Sequence, residues 1–532
     1  MRGKAAIVAV VLFVVPSIIL PVKGEIERPG LVRSLSASPG IAIEMSTFFG
    51  GSREDMASNV HYDSDGNIII VGSTLSSDLP VSNAMQSIYG GGRDAFILKL
   101  DSSYNVVFCT YYGGDGEEYA EAVVTDDENN IYISGHTESG NLTVLNALQT
   151  EMEGEGDAFV AKLSPTGSLV FGTYVGGNGG DEWITSMVLD EDGNMIMAGP
   201  FDSDNMNITT GVFQENYGGG SRDIVLLSMT PDGQSYVFMT YFGLDDSENC
   251  GGLALDSQGN IVMAGYSING GITTEGAYQE AYAGGTGDVI VAKLSPNGQT
   301  LLWSTLLGGS EWDFGGDVNV DSDDNVIVSG YSESPDFPLQ NEIHGNEDER
   351  DTFLAKLSED GSSLLFSTLL GGDGEDRCYG MTMLDNGSVA VNCFTRSDNM
   401  PTVNPWQENN SGGYDAFFAL YDSDLASLVS ASYIGGSLDD HGLSLDTFND
   451  EVAALVGYTH SDDFQTNEPL QSERGGGRDA FLVVLNLIPP GTTVTTTPPP
   501  NLVSIELLII AGAAVAGIAL AALAYVYSKK RS

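Results

Sequence analysis

Five histidines supply all the imidazole chemistry open to this chain, and their spacing favours neither metal binding nor acid–base work. His61, His136, His344, His441 and His460 are scattered, with no H-x-x-x-H pair. His441 alone stands beside carboxylates, in Asp439-Asp440-His441, where a general base could be assembled. There is no G-x-S-x-G elbow. The triple glycines at 90–92, 218–220 and 475–477 run into Arg-Asp or Ser-Arg-Asp and an extended segment, not into the helix N-terminus that would cradle a phosphate. This inventory assigns no catalytic or cofactor-binding residue. The enzyme reading survives only as an alternative, a hydrolase or lyase working around His441.

Carboxylates are the abundant chemistry. Acid pairs recur at Glu54/Asp55, Glu117/Glu118, Asp181/Glu182, Asp246/Glu248, Glu311/Asp313, Glu375/Asp376 and Asp439/Asp440. Crowded carboxylates raise one another's pKa or recruit cations, so a calcium-binding or cationic-ligand mouth is one reading. The other is that each acid caps backbone N–H groups in a tight turn. Recurrence favours the cap, because structural chemistry repeats whereas a site for a ligand is asymmetric. Asp63/Asp65, Asp190/Asp192 and Asp321/Asp323 open like calcium loops. Calcium wants about six to eight oxygens and a closing acid, yet Ile68-Ile69-Ile70 and Val326-Ile327-Val328 follow. Plain turns are expected there, and calcium is the one cofactor left open.

These acids sit in a repeat. A Gly-Gly pair, or its equivalent, leads at Gly50, Gly113, Gly176, Gly243, Gly308, Gly371 and Gly435, at intervals of 63 to 67 residues. A fixed period decides the architecture before any local feature does. Each period holds four short runs rich in Val, Ile, Phe and Thr; in the fifth they are GGDVNVD, NVIVSGY, DTFLAKL and SLLFSTLL. Asp-, Asn- and Gly-rich links such as DSDGN and DEDGN tolerate positive φ and read as hairpin turns. Seven four-stranded antiparallel units predict an all-β, seven-bladed propeller. The first run, 41–51, matches a fourth strand and the last period supplies only three, so the N-terminal strand is expected to complete the last blade.

The motif GG…D.A…V.D..GN…SG…S.DFP…DAFVAKL…L..ST resembles the seven-bladed propeller repeat (SBBP) of bacterial and archaeal surface proteins, over 41–487. The resemblance implies the fold and carries no shared activity. Two periods depart from it: the sixth lacks the first turn Asp (MLDNGSVAVNCF), and the fourth has Gly243-Leu244 for Gly-Gly.

The ends suggest export and anchoring. Residues 1–24 read as a signal peptide, with Arg2 and Lys4 before an apolar run, although an uncleaved anchor stays open. After a lead-in at 25–40 and the propeller at 41–487 comes a Pro/Thr-rich stalk at 488–503. A single C-terminal transmembrane helix is expected at 504–528, and the basic tail at 529–532 would lie in the cytoplasm. The expected place is the cell membrane, with the propeller outside.

With 20 basic and 74 acidic residues the chain carries −54, which makes nucleic acid and anionic head groups poor partners. Adaptation to salty water and a cation-rich partner both remain open. Lys99, Lys162, Lys293 and Lys356 share one register of the third run and are expected to pair with carboxylates. Cys378 and Cys393 flank one hairpin, which opens a cross-strand disulfide to them, while Cys109 and Cys250 read as buried thiols. Glycosylation sequons stand at Asn141, Asn207, Asn386 and Asn409. Tyr89, Phe213, Tyr278, Tyr282, Trp406 and Phe464 fall in long loops, either to bind sugars or to pin those loops. The sum is a non-catalytic interaction, adhesion or envelope-scaffold module with a protein or glycan partner at the cell surface. A calcium- or glycan-binding lectin-like protein is the alternative.

Overall fold

Each period folds as an antiparallel meander because its four runs differ in what they must cover. In the computed structural model, which describes residues 42–343 and 350–487, twenty-eight strands form seven four-stranded sheets. In blade 1 the strands, from inside out, are Asp55–Tyr62, Ile68–Thr74, Asp94–Leu100 and Val106–Tyr112. The second and third are buried throughout, so both faces can be apolar. The inner strand alternates between buried and half-buried residues, with one face on the blade and the other on the central channel. Blade 3 has the shortest inner strand, Ser186–Leu189.

The expected hairpin turns form. Asp63 Oδ1 accepts the N–H groups of Asp65 and Asn67 at 3.0 and 2.9 Å, and Gly66 takes φ 75°. In blade 5 Asp324 holds the same position at φ 60°. Each expected lysine closes such a turn from the neighbouring third strand. Lys99 Nζ lies 2.8 Å from Asp63 Oδ2, with side chains at most 3% exposed. Lys162–Asp126, Lys293–Asp256 and Lys356–Asp321 repeat the pair. These stems pack while the charge is paired out of water.

The ring closes as the repeat arithmetic requires. Strand Ala42–Phe49 pairs antiparallel with Asp479–Asn486, so blade 7 contains both ends of the propeller. Phe48, 1% exposed, wedges against Phe464 and joins the cluster of Phe481 and Leu455. Closure leaves no blade with an open inner seam. The expected signal peptide, lead-in, stalk, transmembrane helix and basic tail, like His344, lie outside the described residues. Among the described residues no helix is long and apolar enough to cross a membrane.

Phe48→Ala should therefore cost about 3–5 kcal/mol in urea unfolding. Val106→Ala, at a 39% exposed site, should stay within about 1 kcal/mol. Equal costs would mean that the first strand does not close the ring.

Candidate binding site at the channel mouth

The loops entering the inner strands build one face of the disc, and their acids separate into two kinds. The second acid of each pair turns away from the channel: Asp55, Glu118, Glu182, Glu248, Asp313, Asp376 and Asp440 are at most 1% exposed. Each clasps the link between blades. Asp55 accepts Gly51 N–H at 2.8 Å, Ser76 Oγ at 2.9 Å and the Thr74 hydroxyl. Asp376 and Asp440 repeat this with Gly372 and Ser397, and with Gly436 and Ser461. A second carboxyl comes from the third strand of the preceding blade. Asp94 accepts Gly90 N–H and the Gln86 amide, and Gln86 Oε1 in turn accepts Gly113 N–H. The two carboxyls meet over the first glycine of the pair. A Cβ on Gly113 would lie 2.6 Å from Glu118 Oε2 and 2.7 Å from Asp94 Oδ1, so only glycine fits.

The favoured reading of the acids as caps therefore fits the second of each pair, buried between blades because each link has N–H groups that need acceptors. Burial pushes Asp55 and Asp94 up to about 6, and Glu118 and Asp376 up to about 7. Glu182 goes furthest, to about 9, through burial and then the nearby Asp157 and Asp202. Blade 3 explains this: its acid stands six positions after Gly176, where Glu118 stands five after Gly113. Glu182 accepts the Ser203 hydroxyl at 2.5 Å but leaves Oε2 without a hydrogen-bond partner.

One residue along each inner strand the chemistry stops repeating. Next to the repeated cross-strand pairs Asp55–Thr74 and Glu118–Thr137 come Met56–Ser73, Tyr119–His136, Asn249–Tyr266, Phe314–Tyr331, Arg377–Phe394 and His441–Tyr458. These varied pairs line the mouth. From blade 5 to blade 7 their rings join through Tyr379. Phe314–Tyr331 centroids are 4.9 Å apart, Tyr379–Phe394 5.8 Å, Phe394–His441 4.2 Å and His441–Tyr458 4.7 Å. Across the channel His136 stacks on Trp183 at 4.2 Å.

Arginines complete the mouth. All eight among the described residues, Arg53, Arg93, Arg222, Arg350, Arg377, Arg396, Arg474 and Arg478, belong to loops or strand ends of this face. The four lysines pair with turns at the opposite end. Arg478 lies 4.8 Å over Tyr458, Arg93 5.4 Å over Tyr119 and Arg377 5.4 Å over Tyr331. Of the outer acids, Glu54 sits between Arg93 (3.5 Å) and Arg478 (3.3 Å). Glu375 is held by Arg377 Nε at 2.8 Å, by Arg350 and by the Tyr414 hydroxyl.

His441 faces this mouth, and its ring nitrogen bonds to neither neighbouring acid. Asp440 is in the seam, and Asp439 Oδ1 accepts Tyr414 N–H at 3.1 Å. The imidazole instead lies between Phe394 and Tyr458, its Nδ1 2.9 Å from the Tyr458 hydroxyl. Burial pushes it down to about 4, so it is neutral at physiological pH.

Behind the mouth is a cavity of about 560 Å³, lined by all seven inner strands. A bulge in the blade 2 inner strand places Glu121 there, and Asp317 and the His61–Asp446 pair (3.0 Å) also line it. Burial pushes Glu121 and Asp317 up to about 7.

The remaining candidates are placed plainly. Asp63, Asp190 and Asp321 each bind the N–H groups two and four residues on within their turns, and Asp63 and Asp321 also hold a lysine. Asp65, Asp192 and Asp323 supply the first of those N–H groups. Among the described residues no group of three or more His, Cys, Asp or Glu is arranged to hold a metal ion. Cys378 and Cys393 are directly opposed, with Sγ atoms 2.7 Å apart and no disulfide between them, and all four cysteines, Cys109 and Cys250 included, are buried free thiols. Asn141, Asn207, Asn386 and Asn409 are all exposed. Tyr89, Phe213 and Phe464 pack on Tyr111, Phe242 and Phe48, while Tyr278, Tyr282 and Trp406 lie against the core clusters, so these rings pin their loops. The mouth rings escaped sequence reasoning. Their signal was the column one residue after each seam acid, which changes residue type from blade to blade, as does the column two further on that holds Tyr379.

The fold and mouth define a seven-bladed β-propeller with a ligand-sized channel. No family model matches the chain. An uncharacterized WD repeat-containing protein, L264 of Acanthamoeba polyphaga mimivirus, is 21% identical over 457 residues; the match covers 70% of this chain and 32% of that protein. Among solved structures, a protein of unknown function from Dyadobacter fermentans gives a TM-score of 0.43 at 11% identity, covering 85% of this chain and 100% of that one. Puromycin hydrolase gives 0.42 at 12%, covering 80% and 54%, and polysaccharide lyase Uly1 gives 0.43 at 8%, covering 85% and 99%. Likeness at this level transfers no activity.

The seam acids predict the pH response. Their folded pKa values are raised, so the stability they confer is complete below the unfolded values near 4 and is lost as pH rises through 6 to 9. The lowered histidines act below their ordinary value of 6.5 and leave this window alone. At fixed ionic strength the melting temperature should fall from pH 6 to about pH 7, where most seam acids reach their folded pKa, and more gently to pH 9 through Glu182, so Glu182→Gln should flatten that upper part. A flat or rising profile would contradict the buried clasps.

Proposed function

We propose that this chain is a cell-surface recognition module, an SBBP-type propeller tethered to the membrane, which binds its partner through the mouth face and performs no catalysis. One observation carries the reading. The seam acids repeat blade after blade, while the residues one step along vary and gather rings and arginines around a single opening. Repetition serves the scaffold, and variation on a rigid scaffold serves recognition. The leader at 1–24, the stalk at 488–503, the apolar run at 504–528 and the basic tail at 529–532 support surface display. The distant WD-repeat relative agrees with an interaction role.

The test displays the full-length protein on cells or beads and measures adhesion to cells of its natural surroundings. Arg377→Ala combined with Arg478→Ala should lower adhesion at least tenfold, while Asp192→Ser, in a turn at the opposite end, should leave it unchanged. Equal adhesion by all three proteins would defeat the assignment to the mouth. A chain ending at Asn501 should appear in the medium, and if export oxidises the facing Cys378 and Cys393 thiols, two reactive thiols instead of four should remain after denaturation. Retention of that chain in the membrane would contradict the C-terminal anchor.

A further inference from the structure

We propose that the mouth binds an uncharged glycan, with sugar rings seated on the Phe314–Tyr379–Phe394 side of the channel and their hydroxyls held by the arginine–carboxylate forks. The proposal rests on the recognition reading above and names the ligand class for that same face.

Three observations converge on it. First, the rings are placed for stacking. Phe314 and Tyr379 line the cavity, their centroids are 5.6 Å apart, and both are half-buried, so part of each ring is open to the channel. The C–H faces of a pyranose are apolar and pack on such rings, while its rim of hydroxyls needs donors and acceptors. Second, those donors and acceptors are preassembled: one carboxylate ties two guanidiniums in each fork, and Glu333 on Arg350 balances the charge of the second. Arg93–Glu54–Arg478 and Arg350–Glu375–Arg377 are planar forks whose N–H groups and carboxylate oxygens are fixed before a ligand arrives. Third, one of the forks has donors to spare. Arg93 is 8% exposed, and neither its Nε nor that of Arg478 has a hydrogen-bond partner. A buried N–H without an acceptor is costly, and a sugar hydroxyl oxygen would satisfy it.

Competing ligands fit less well. A uronate or sulfate would stand beside Glu54 or Glu375 and be repelled by them, in a chain of net charge −54. A cationic peptide would be repelled by the guanidinium groups that lie over Tyr119, Tyr331 and Tyr458. A folded protein would rest on the loop rims and leave the channel empty. The cavity of about 560 Å³ lies within the range of small-ligand pockets, about 300–1,000 Å³.

The experiment presents the full-length protein, in detergent, to an array of neutral, uronate-bearing and sulfated oligosaccharides and follows retained neutral glycans by calorimetry. Retention of neutral glycans is expected. Tyr379→Ala should weaken it at least tenfold. Arg478→Lys, which keeps the charge but removes the guanidinium fork, should weaken it about threefold or more. Tyr89→Ala, a loop-pinning ring, should bind as the parent does. Melting temperatures of all variants are compared, and Arg478→Lys keeps the test decisive should Tyr379→Ala unfold. Retention confined to acidic glycans, no retention at all, or retention indifferent to both mouth variants would overturn the proposal. If the mouth variants lose cell adhesion but excess neutral glycan does not compete, the glycan falls and the recognition reading stands. If they adhere like the parent, the recognition reading falls as well.

Discussion

Two carboxyl groups meeting over a glycine is the constraint on which the rest of this molecule depends. It recurs around the ring because every blade must hand the chain to the next through a link whose N–H groups would otherwise be buried without acceptors. The inner acid takes the link and the threonine or serine at the end of its own second strand. The third-strand aspartate of the preceding blade takes the loop above, and a glutamine ties the two together, as Gln86 does between Asp94 and Gly113. The glycine is what lets them approach: at Gly435 a side chain would run into Asp415 and Asp440.

This changes how the acidity is understood. A formal charge of −54 counts every carboxyl as ionised, yet buried seam acids are raised to about 6 or 7 and Glu182 to about 9. A fraction of them is therefore neutral at physiological pH. Packing that many carboxyls into seams is tolerable because proton uptake relieves the repulsion. The surface beyond remains strongly acidic, and the arginines are withdrawn from it to the mouth, where Glu54, Glu333, Glu375 and Asp462 pair with five of them. The lysines serve the opposite end, each closing one turn. Each kind of charge thus has its own place, with acids in the seams and on the surface, lysines at the turns and arginines around the opening.

Much of the architecture was legible in the sequence. The interval between Gly-Gly pairs gave the blade count, the surplus fourth strand at the N-terminus gave the closure, and the common register of Lys99, Lys162, Lys293 and Lys356 announced paired lysines. Periodicity is what made these visible, since a structural need repeats at fixed spacing. The site was less legible for the same reason. Acid pairs such as Glu54/Asp55 look alike in sequence, but strand alternation turns Asp55 into the seam and leaves Glu54 to the arginines. Which neighbour goes where is set by the pleat and by one bulge, neither of which composition reports. Phe314, Tyr379, Phe394 and His441 come together only when blades 5 to 7 are placed side by side, while the loop rings that drew attention, Tyr89 and Phe464 among them, turned out to hold their loops.

The central claim is that the repeated acids hold the ring with protons and N–H groups, leaving recognition to the varied mouth. It is tested most directly by melting the full-length protein in detergent with millimolar calcium, with chelator, and with sodium chloride at matched ionic strength, at pH 6. The account predicts the same melting temperature with calcium as with the matched salt. A saturable rise specific to calcium, lost in Asp415→Asn, would contradict it, because the seams would then be cation sites that bind the native state.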